Sequence, residues 1–566
     1  MSSKKRLLVI GLDGATWDII DALLQSGRLP AMAGMAGTGT RAVLQSTVPS
    51  ATFPSWTTFM TGKNPGGHGL FDFTELARGS YGIRFLNATF RRSETLFMML
   101  SRAGLRVGAM GVPATYPPER VNGFMISGFD SPVAGSIDTS FVHPPELYRD
   151  IRSAVGEYRI SDLLETYMTG QWYVRASEKI MTSLDKKART ALYLYRREPW
   201  DFFMVHFGES DTAAHHFWKF HDPASPRYEP APGRLPHTIR DVYVKLDSII
   251  NDFLESLWED TTVLIVSDHG FGGAGTRAVS LNRWLEGEGL LELSDRPALL
   301  DRGLELVKQA GLRHLHHGLQ ELVFRSPLRR IARRMETASR FRGIQWSGTA
   351  AFSEDMNHFP GIHINLQGRE PQGTVAPGTD YERVRDEVIA GLRTWRDPET
   401  GRHIVRRAWR REEVYRGRYV ERAPDIIIDL HEHDGYSCLC LPHGCFERGE
   451  PFRRLSRDEL RGPRMMSMSG SHRGEGIFLC SESCPELREP PQRAPAMQDM
   501  CPSILSFFGV TPAEALDGRP VGLGEGPAAR RAAGCTPEET GSEPRPYTRA
   551  QERKVADRLR RLGYFD

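Results

Sequence analysis

"TTVLIVSDHG", residues 261–270, decides how the rest of the chain is read. Val263 to Val266 is a short apolar run with no polar alternation, and it stops at Ser267-Asp268-His269-Gly270. Such a run describes a strand buried on both faces, as in a parallel sheet covered by helices. "LLVI" (7–10) is a second run of this kind and ends in Gly11-Leu12-Asp13-Gly14. "TWDIIDALLQSG" follows it, with Trp17, Ile20, Leu23 and Leu24 at helical spacing. "VGAMGV" (107–112), after the helical "SETLFMMLSRAG", and "WDFFMVHFGESD" (200–211) repeat the pattern. "GIHINL" (361–366), "PDIIIDL" (424–430) and "GIFLC" (476–480) complete the set. Strands alternating with helices predict an α/β fold: a mostly parallel central sheet with helices on both faces.

The chain has 566 residues, long for one core. It reads as a discontinuous catalytic domain, 1–295 and 350–515, with a basic helical insertion or lid at 296–349. A loose tail, 516–566, carries one short helix, in which Val555, Leu559 and Leu562 share a face and Gly563 is the stop. Residues 74–200 hold two strand-like pieces and several helices. With 73 Lys and Arg against 71 Asp and Glu, the balance excludes a dedicated nucleic-acid binder. The apolar run before Gly11 is only the four residues Leu7–Ile10, too short for a secretory signal, and no run reaches the roughly 18 of a membrane span. A cytoplasmic protein is expected. All seven Cys lie after residue 437, an odd, one-sided set unlike a disulfide framework. The spacing of Cys438, Cys440 and Cys445 matches no common zinc pattern, so thiols are expected.

In open parallel sheets, ligands bind beyond the carboxyl ends of the strands. Here those ends carry Asp13, then Glu209, Asp211, His215 and His216, then Asp268 and His269; His472 precedes the strand at 476–480. Each has a plain alternative: Asp13 as a helix N-cap, Asp211 and His215 as neighbours four apart on a helix, "SDHG" as a turn. Together they form a concentration of charge that is costly unless cations neutralise it. Two divalent metal ions would do so, and an N/O ligand set suits Zn²⁺ or Mn²⁺. "SATFPSWTTFMTGKNPGGHG" (50–69) then places Thr52 ahead of a short helix, with Pro54 expected at its first position. A Thr hydroxyl is a poor nucleophile unless a metal or base activates it, and a helix N-terminus favours an alkoxide and a phosphate.

"GLDG", "TFPSWTTFMTGKNPGGHG", "ESDTAAHH", "SDHG" and "GSHRGEG" resemble the motifs of the alkaline phosphatase superfamily. The branch they are most similar to is the type I phosphodiesterase/nucleotide pyrophosphatase group, with its bacterial predicted phosphohydrolase/phosphomutase subgroup. "TYPPERVNGFMISGFDSP" and "GIHINLQGREPQG" are similar to segments of that subgroup. The resemblance implies one metal held by Asp211, His215 and His472, and another by Asp13, Asp268, His269 and the Thr52 oxygen. It implies that Thr52 attacks phosphorus in line and forms a phospho-threonine that water hydrolyses. Where nucleotide pyrophosphatases carry an Asn after Thr-Phe-Pro, this chain has Ser55, expected to meet a phosphoryl oxygen.

The reading is therefore a metal-dependent hydrolase of a small-molecule phosphate ester, acting on a phosphodiester or pyrophosphate bond. Phosphomonoesterase and phosphomutase are the enzymatic alternatives; a non-catalytic binding protein on the same fold is the third. A sulfatase would need a Cys/Ser-x-Pro-x-Arg motif where this chain has "ATFPSW". The diester reading rests on the absence of a cation in the Thr52 motif. Arg473 is the nearest Arg in a site motif and is expected to point away. The insertion arginines Arg329, Arg330, Arg333 and Arg334 are a lid's cations, a patch for an acidic membrane surface or a solvated helix face, and His314, His316 and His317 are expected to be exposed. Sequence leaves the oligomeric state open.

Overall fold

The computed structural model describes residues 5–77, 79–131, 139–158, 170–294, 341, 343–355, 360–461, 464–487, 493–523, 530–531 and 545–562. The insertion residues named above, Cys535 and Gly563 lie outside this set.

The central sheet has eight strands in the order Thr40–Gln45, Glu475–Cys480, Thr261–Val266, Arg6–Leu12, Phe202–Phe207, Val107–Met110, Gly123–Ile126, Val142–His143. The five from Thr261–Val266 to Gly123–Ile126 run parallel, and antiparallel pairings flank them on both sides. The expected mostly parallel α/β sheet is present. The runs "LLVI" and "VLIV" are buried throughout, as a strand covered on both faces requires. Helices Gly170–Arg196, Glu209–His221 and Thr238–Leu254 pack on one another; Thr52–Thr61, Leu96–Arg102 and Met497–Phe507 form a second group.

The structure differs from expectation in two respects. The runs at 361–366 and 424–430 leave the central sheet. Gly361–Ile364 and Ile426–Leu430 join Ala351–Ser353 and Val405–Arg410 in a separate antiparallel sheet, against helix Thr379–Thr394. Their apolar core, including Ile362, Ile364, Val388, Leu392 and Ile426, is distinct from the main one. A continuous apolar run reports burial and not which partner buries it. Second, the last helix, Arg549–Leu562, is docked rather than loose. Val555 and Leu559 enter the main core, and Arg558 donates to the carbonyls of Phe129, at 2.8 Å, and Ser131. The structure also adds a strand with no counterpart in the sequence reading: the glycine-rich "GFGGAGTRAV", Gly270–Val279, ten residues long, which belongs to a smaller sheet. Glycine here serves close approach: a Cβ on Gly272 would lie 2.5 Å from the Arg473 guanidinium, and one on Gly273 2.5 Å from the Tyr436 ring.

Candidate metal centre

Sequence-distant segments meet beyond the carboxyl ends of three adjacent parallel strands. Arg6–Leu12 delivers Asp13, Phe202–Phe207 leads into the helix bearing Asp211 and His215, and Thr261–Val266 delivers Asp268 and His269. His472 arrives differently. The strand Gly470–Arg473 pairs antiparallel with Gly270–Val279, placing His472 opposite Phe271. Asp13 is not a helix cap; the following helix, Trp17–Gln25, has Thr16 at its N-cap position.

The helix carrying the candidate nucleophile begins at Thr52 itself, with Ala51 as N-cap and no side-chain cap. Thr52 is therefore no cap, and Pro54 stands third in the helix instead of first. The Thr52 hydroxyl is fully buried and lies 3.4 Å from His269 Nε2.

The ligand atoms of Asp13, Asp268 and His269 lie within 4.8 Å of one another, and so do those of Asp211, His269 and His472. His269 is common to both groups. His215 adjoins the second: its Nε2 is 3.0 Å from His472 Nε2 and 3.3 Å from Asp211 Oδ1. Sulfur takes no part in either group.

Three features test whether cations fit. Each carboxylate keeps one buried oxygen without a hydrogen bond: Asp13 Oδ1, Asp211 Oδ1 and Asp268 Oδ2. The other oxygens of Asp13 and Asp268 are engaged, Asp268 Oδ1 by the Gly14 N–H at 3.2 Å and Asp13 Oδ2 by side chains. Gly14 has φ +62° here, the left-handed conformation of the turn. The imidazoles are oriented too. Nδ1 of His215, His269 and His472 faces the carbonyls of Gly470, Gly270 and Ser50 at 3.2, 3.0 and 2.8 Å. A carbonyl only accepts, so each Nδ1 carries a proton, and it is Nε2 of each ring that is turned inward, free to act as a ligand when the ring is neutral. Finally, the charges oppose one another. Burial, then the charge of Asp13, pushes the Asp268 carboxyl well above the usual range. Burial also acts to raise Asp211, but His215 and His472 outweigh it and hold that carboxyl well below its ordinary value. Burial and then His472 lower His269 to about 3, so its ring is neutral at pH 7. Bare carboxylate oxygens gathered with inward-turned imidazole Nε2 atoms are a donor set for divalent cations.

The remaining residues read from sequence are placed as follows. Ser55 is buried and its hydroxyl donates to the Asp268 carbonyl at 2.7 Å, so its one proton holds the strand end that carries Asp268 and His269. Arg473 faces Glu432 at 3.1 Å and donates to the Gly435 carbonyl at 2.8 Å.

Sequence reasoning missed Trp56 and His206, which both reach Asp13, and Lys187. A cleft of about 640 Å³ beside Asp13 and Asp211 is lined by Phe129, Tyr158, Ile180, Lys187 and Glu209. Lys187 is 3.0 Å from Glu209. His206 had a signal, as the lone imidazole in the apolar strand "FFMVHF". Lys187 had none, being one of several cations on an amphipathic helix.

A parallel sheet with this donor set at its carboxyl edge is the arrangement that the sequence motifs led us to expect. The model of the family "Type I phosphodiesterase / nucleotide pyrophosphatase" matches residues 7–439, and the chain belongs to that family. It is a hydrolase of phosphoric esters of that type. His472 lies beyond the matched residues. No curated protein matches the chain. Among solved structures, it is similar to phosphonoacetate hydrolase from Sinorhizobium meliloti 1021 in complex with phosphonoformate, at 14% identity and TM-score 0.49. It is also similar to human ectonucleotide pyrophosphatase/phosphodiesterase 5, at 14% identity and TM-score 0.44. Each match covers 88% of this chain and 94% of the other. Among the described residues, no helix is long and apolar enough to cross a membrane.

Proposed function

We propose that this chain hydrolyses a phosphodiester or pyrophosphate bond of a small molecule through a phospho-threonine formed on Thr52. The observation that carries this reading is the burial of the Thr52 hydroxyl beside His269, within a cluster where three carboxylates each keep a bare oxygen. Asp211, His215 and His472 would hold one divalent ion, and Asp13, Asp268, His269 and the Thr52 oxygen the other; Zn²⁺ and Mn²⁺ suit these ligands. Two such ions, when bound, stabilise charge on the attacking and leaving oxygens of an in-line displacement.

The chain's own part is positioning. Thr52 opens a ten-residue helix, so its oxygen sits at the positive end of the helix dipole, where a developing alkoxide and a phosphoryl oxygen are both favoured. Thr52 Oγ1 gives up its proton and bonds to phosphorus as the bond from phosphorus to the leaving oxygen breaks on the opposite side, and the proton lost by Thr52 is balanced by one taken up on the leaving oxygen. Water then cleaves the phospho-threonine, releasing the phosphoryl group and restoring the hydroxyl. Ser55 keeps Asp268 and His269 in register with the nucleophile through the Asp268 carbonyl.

A diester bears one charge fewer than a monoester and needs a wall for its second ester group. Phe129, Tyr158 and Ile180 offer such a wall beside the cluster, and the charge of Lys187 is balanced by Glu209. Lys187 is also the observation that favours the monoester reading, since a dianionic phosphoryl group attracts an extra cation. The test compares kcat/KM for bis(p-nitrophenyl) phosphate and p-nitrophenyl phosphate on metal-loaded protein. A diester preference of about tenfold or more is expected; a monoester preference overturns the choice. Acid quenching during turnover should yield a phosphorylated peptide containing Thr52, and phosphate found on another residue would displace Thr52 as nucleophile.

A further inference from the structure

We infer that His206 and Trp56 form a two-donor clamp on Asp13, making His206 a positioning residue that turns one Asp13 oxygen into the metal centre. This rests on the two-ion reading above.

The two oxygens of Asp13 have different surroundings. Asp13 Oδ2 faces His206 Nε2 at 2.8 Å and Trp56 Nε1 at 3.2 Å. A carboxylate oxygen only accepts, so His206 Nε2–H and Trp56 Nε1–H both donate to it. Asp13 Oδ1 is also buried, has no hydrogen bond, and lies 3.5 Å from His269 Nε2. A carboxylate serving only as a structural acceptor would spread its donors over both oxygens. Two N–H groups on one oxygen fix the plane of the group and reserve the other for a different partner.

The surroundings are shaped for this contact. His206 lies in the fully buried strand Phe202–Phe207, directly across from Gly11 in the parallel ladder. A Cβ on Gly11 would come within 2.7 Å of the Trp56 ring and 3.4 Å of the His206 ring. The missing side chain at Gly11 thus lets Trp56 reach over the strand to Asp13. Trp56 and His206 meet edge to face, with ring centroids 5.0 Å apart at 88°. Both rings are buried, at 0% and 2% exposure, so neither has room to leave the carboxylate. Trp56 is also one turn beyond Thr52 on the same helix, which couples the nucleophile's helix to the Asp13 ligand.

The test measures metal affinity and not activity alone. Full-length protein, wild type and His206→Phe, is titrated with Zn²⁺ against a chromophoric chelator, after circular dichroism has shown that both fold. The Phe ring keeps the packing and removes the donor. One of the two equivalents should weaken by about tenfold to a hundredfold, the usual cost of losing an outer-shell partner, while the other stays within about threefold. Asp13→Asn should weaken the same equivalent, and adding His206→Phe to it should cost little more, because His206 acts through Asp13. If His206→Phe fails to fold, Trp56→Phe carries the test with a smaller loss, about threefold to tenfold, at the same equivalent. Wild-type protein that binds two ions, with a folded clamp variant that binds both equally well, overturns the clamp alone. Additive losses in the double variant also overturn it. Wild-type protein that binds no metal overturns the two-ion reading and the clamp with it.

Discussion

Thr52 and His269 are 217 residues apart in sequence, and their side chains meet at 3.4 Å, hydroxyl oxygen to Nε2. In the proposed mechanism this meeting is what makes Thr52 more than a helix start. Thr52→Ala should keep the fold and lower turnover by at least about a hundredfold, the scale of losing a catalytic group. Thr52→Ser keeps an oxygen there and should retain measurably more activity than Ala. Steady-state rates on the aryl diester check this, and a folded, metal-loaded Ala variant near the wild-type rate would contradict it.

Chelation should abolish activity, and elemental analysis of active protein should find two divalent ions per chain. Asp268→Asn and His472→Ala should each lose about one of them. Metal binding only to the folded state stabilises it, so the melting temperature should fall on chelation. Asp268→Asn removes a buried charge beside Asp13 and keeps an acceptor for the Gly14 N–H. Its metal-free form should therefore melt higher than metal-free wild type, the reverse of the order with metal bound.

His68 gives a pH dependence independent of the metal centre. It is fully buried, accepts from the Leu70 N–H through Nδ1 at 3.2 Å, and lies 3.0 Å from the Thr58 hydroxyl through Nε2. Burial, reinforced by Arg91, lowers it to about 3. The unfolded chain takes up this proton near pH 6.5, and the folded chain does so only near 3. The stability this contributes is complete above pH 6.5 and is lost as pH falls toward 3, by up to about 1.4 kcal/mol per pH unit. Urea unfolding between pH 7.5 and 5, with chelator present throughout, should show a steeper loss in wild type than in His68→Gln. Equal slopes would exclude His68 as the cause.

Arg558 fastens the last helix by donating to the Phe129 and Ser131 carbonyls. Arg558→Ala should cost about 2–3 kcal/mol, the range for hydrogen bonds from a charged group in a buried setting. Limited proteolysis within the helix itself, residues 549–562, should quicken as it detaches more often. An unchanged unfolding midpoint would show that Val555 and Leu559 suffice to hold it.

The sequence by itself determined which segments are buried strands and which loops hold chemistry. "LLVI", "FFMVHF" and "VLIV" are apolar without alternation, and burial on both faces is the condition that tolerates such runs. Asp13, Asp211 and Asp268 stand just beyond them, where a parallel sheet gathers its loops, so most of the candidate cluster was legible without coordinates. Tertiary structure decided which strands share a sheet. The apolar runs at 361–366 and 424–430 have the same local signature and lie in another layer with its own core. It decided that "GFGGAGTRAV" is a strand, because its glycines answer to Arg473 and Tyr436, residues far away in sequence. It also decided which oxygen of Asp13 and which of Asp268 stays bare. That depends on where Trp56, His206 and Gly14 point their N–H groups, and a direction in space is set by packing between elements, which no local pattern of residues encodes.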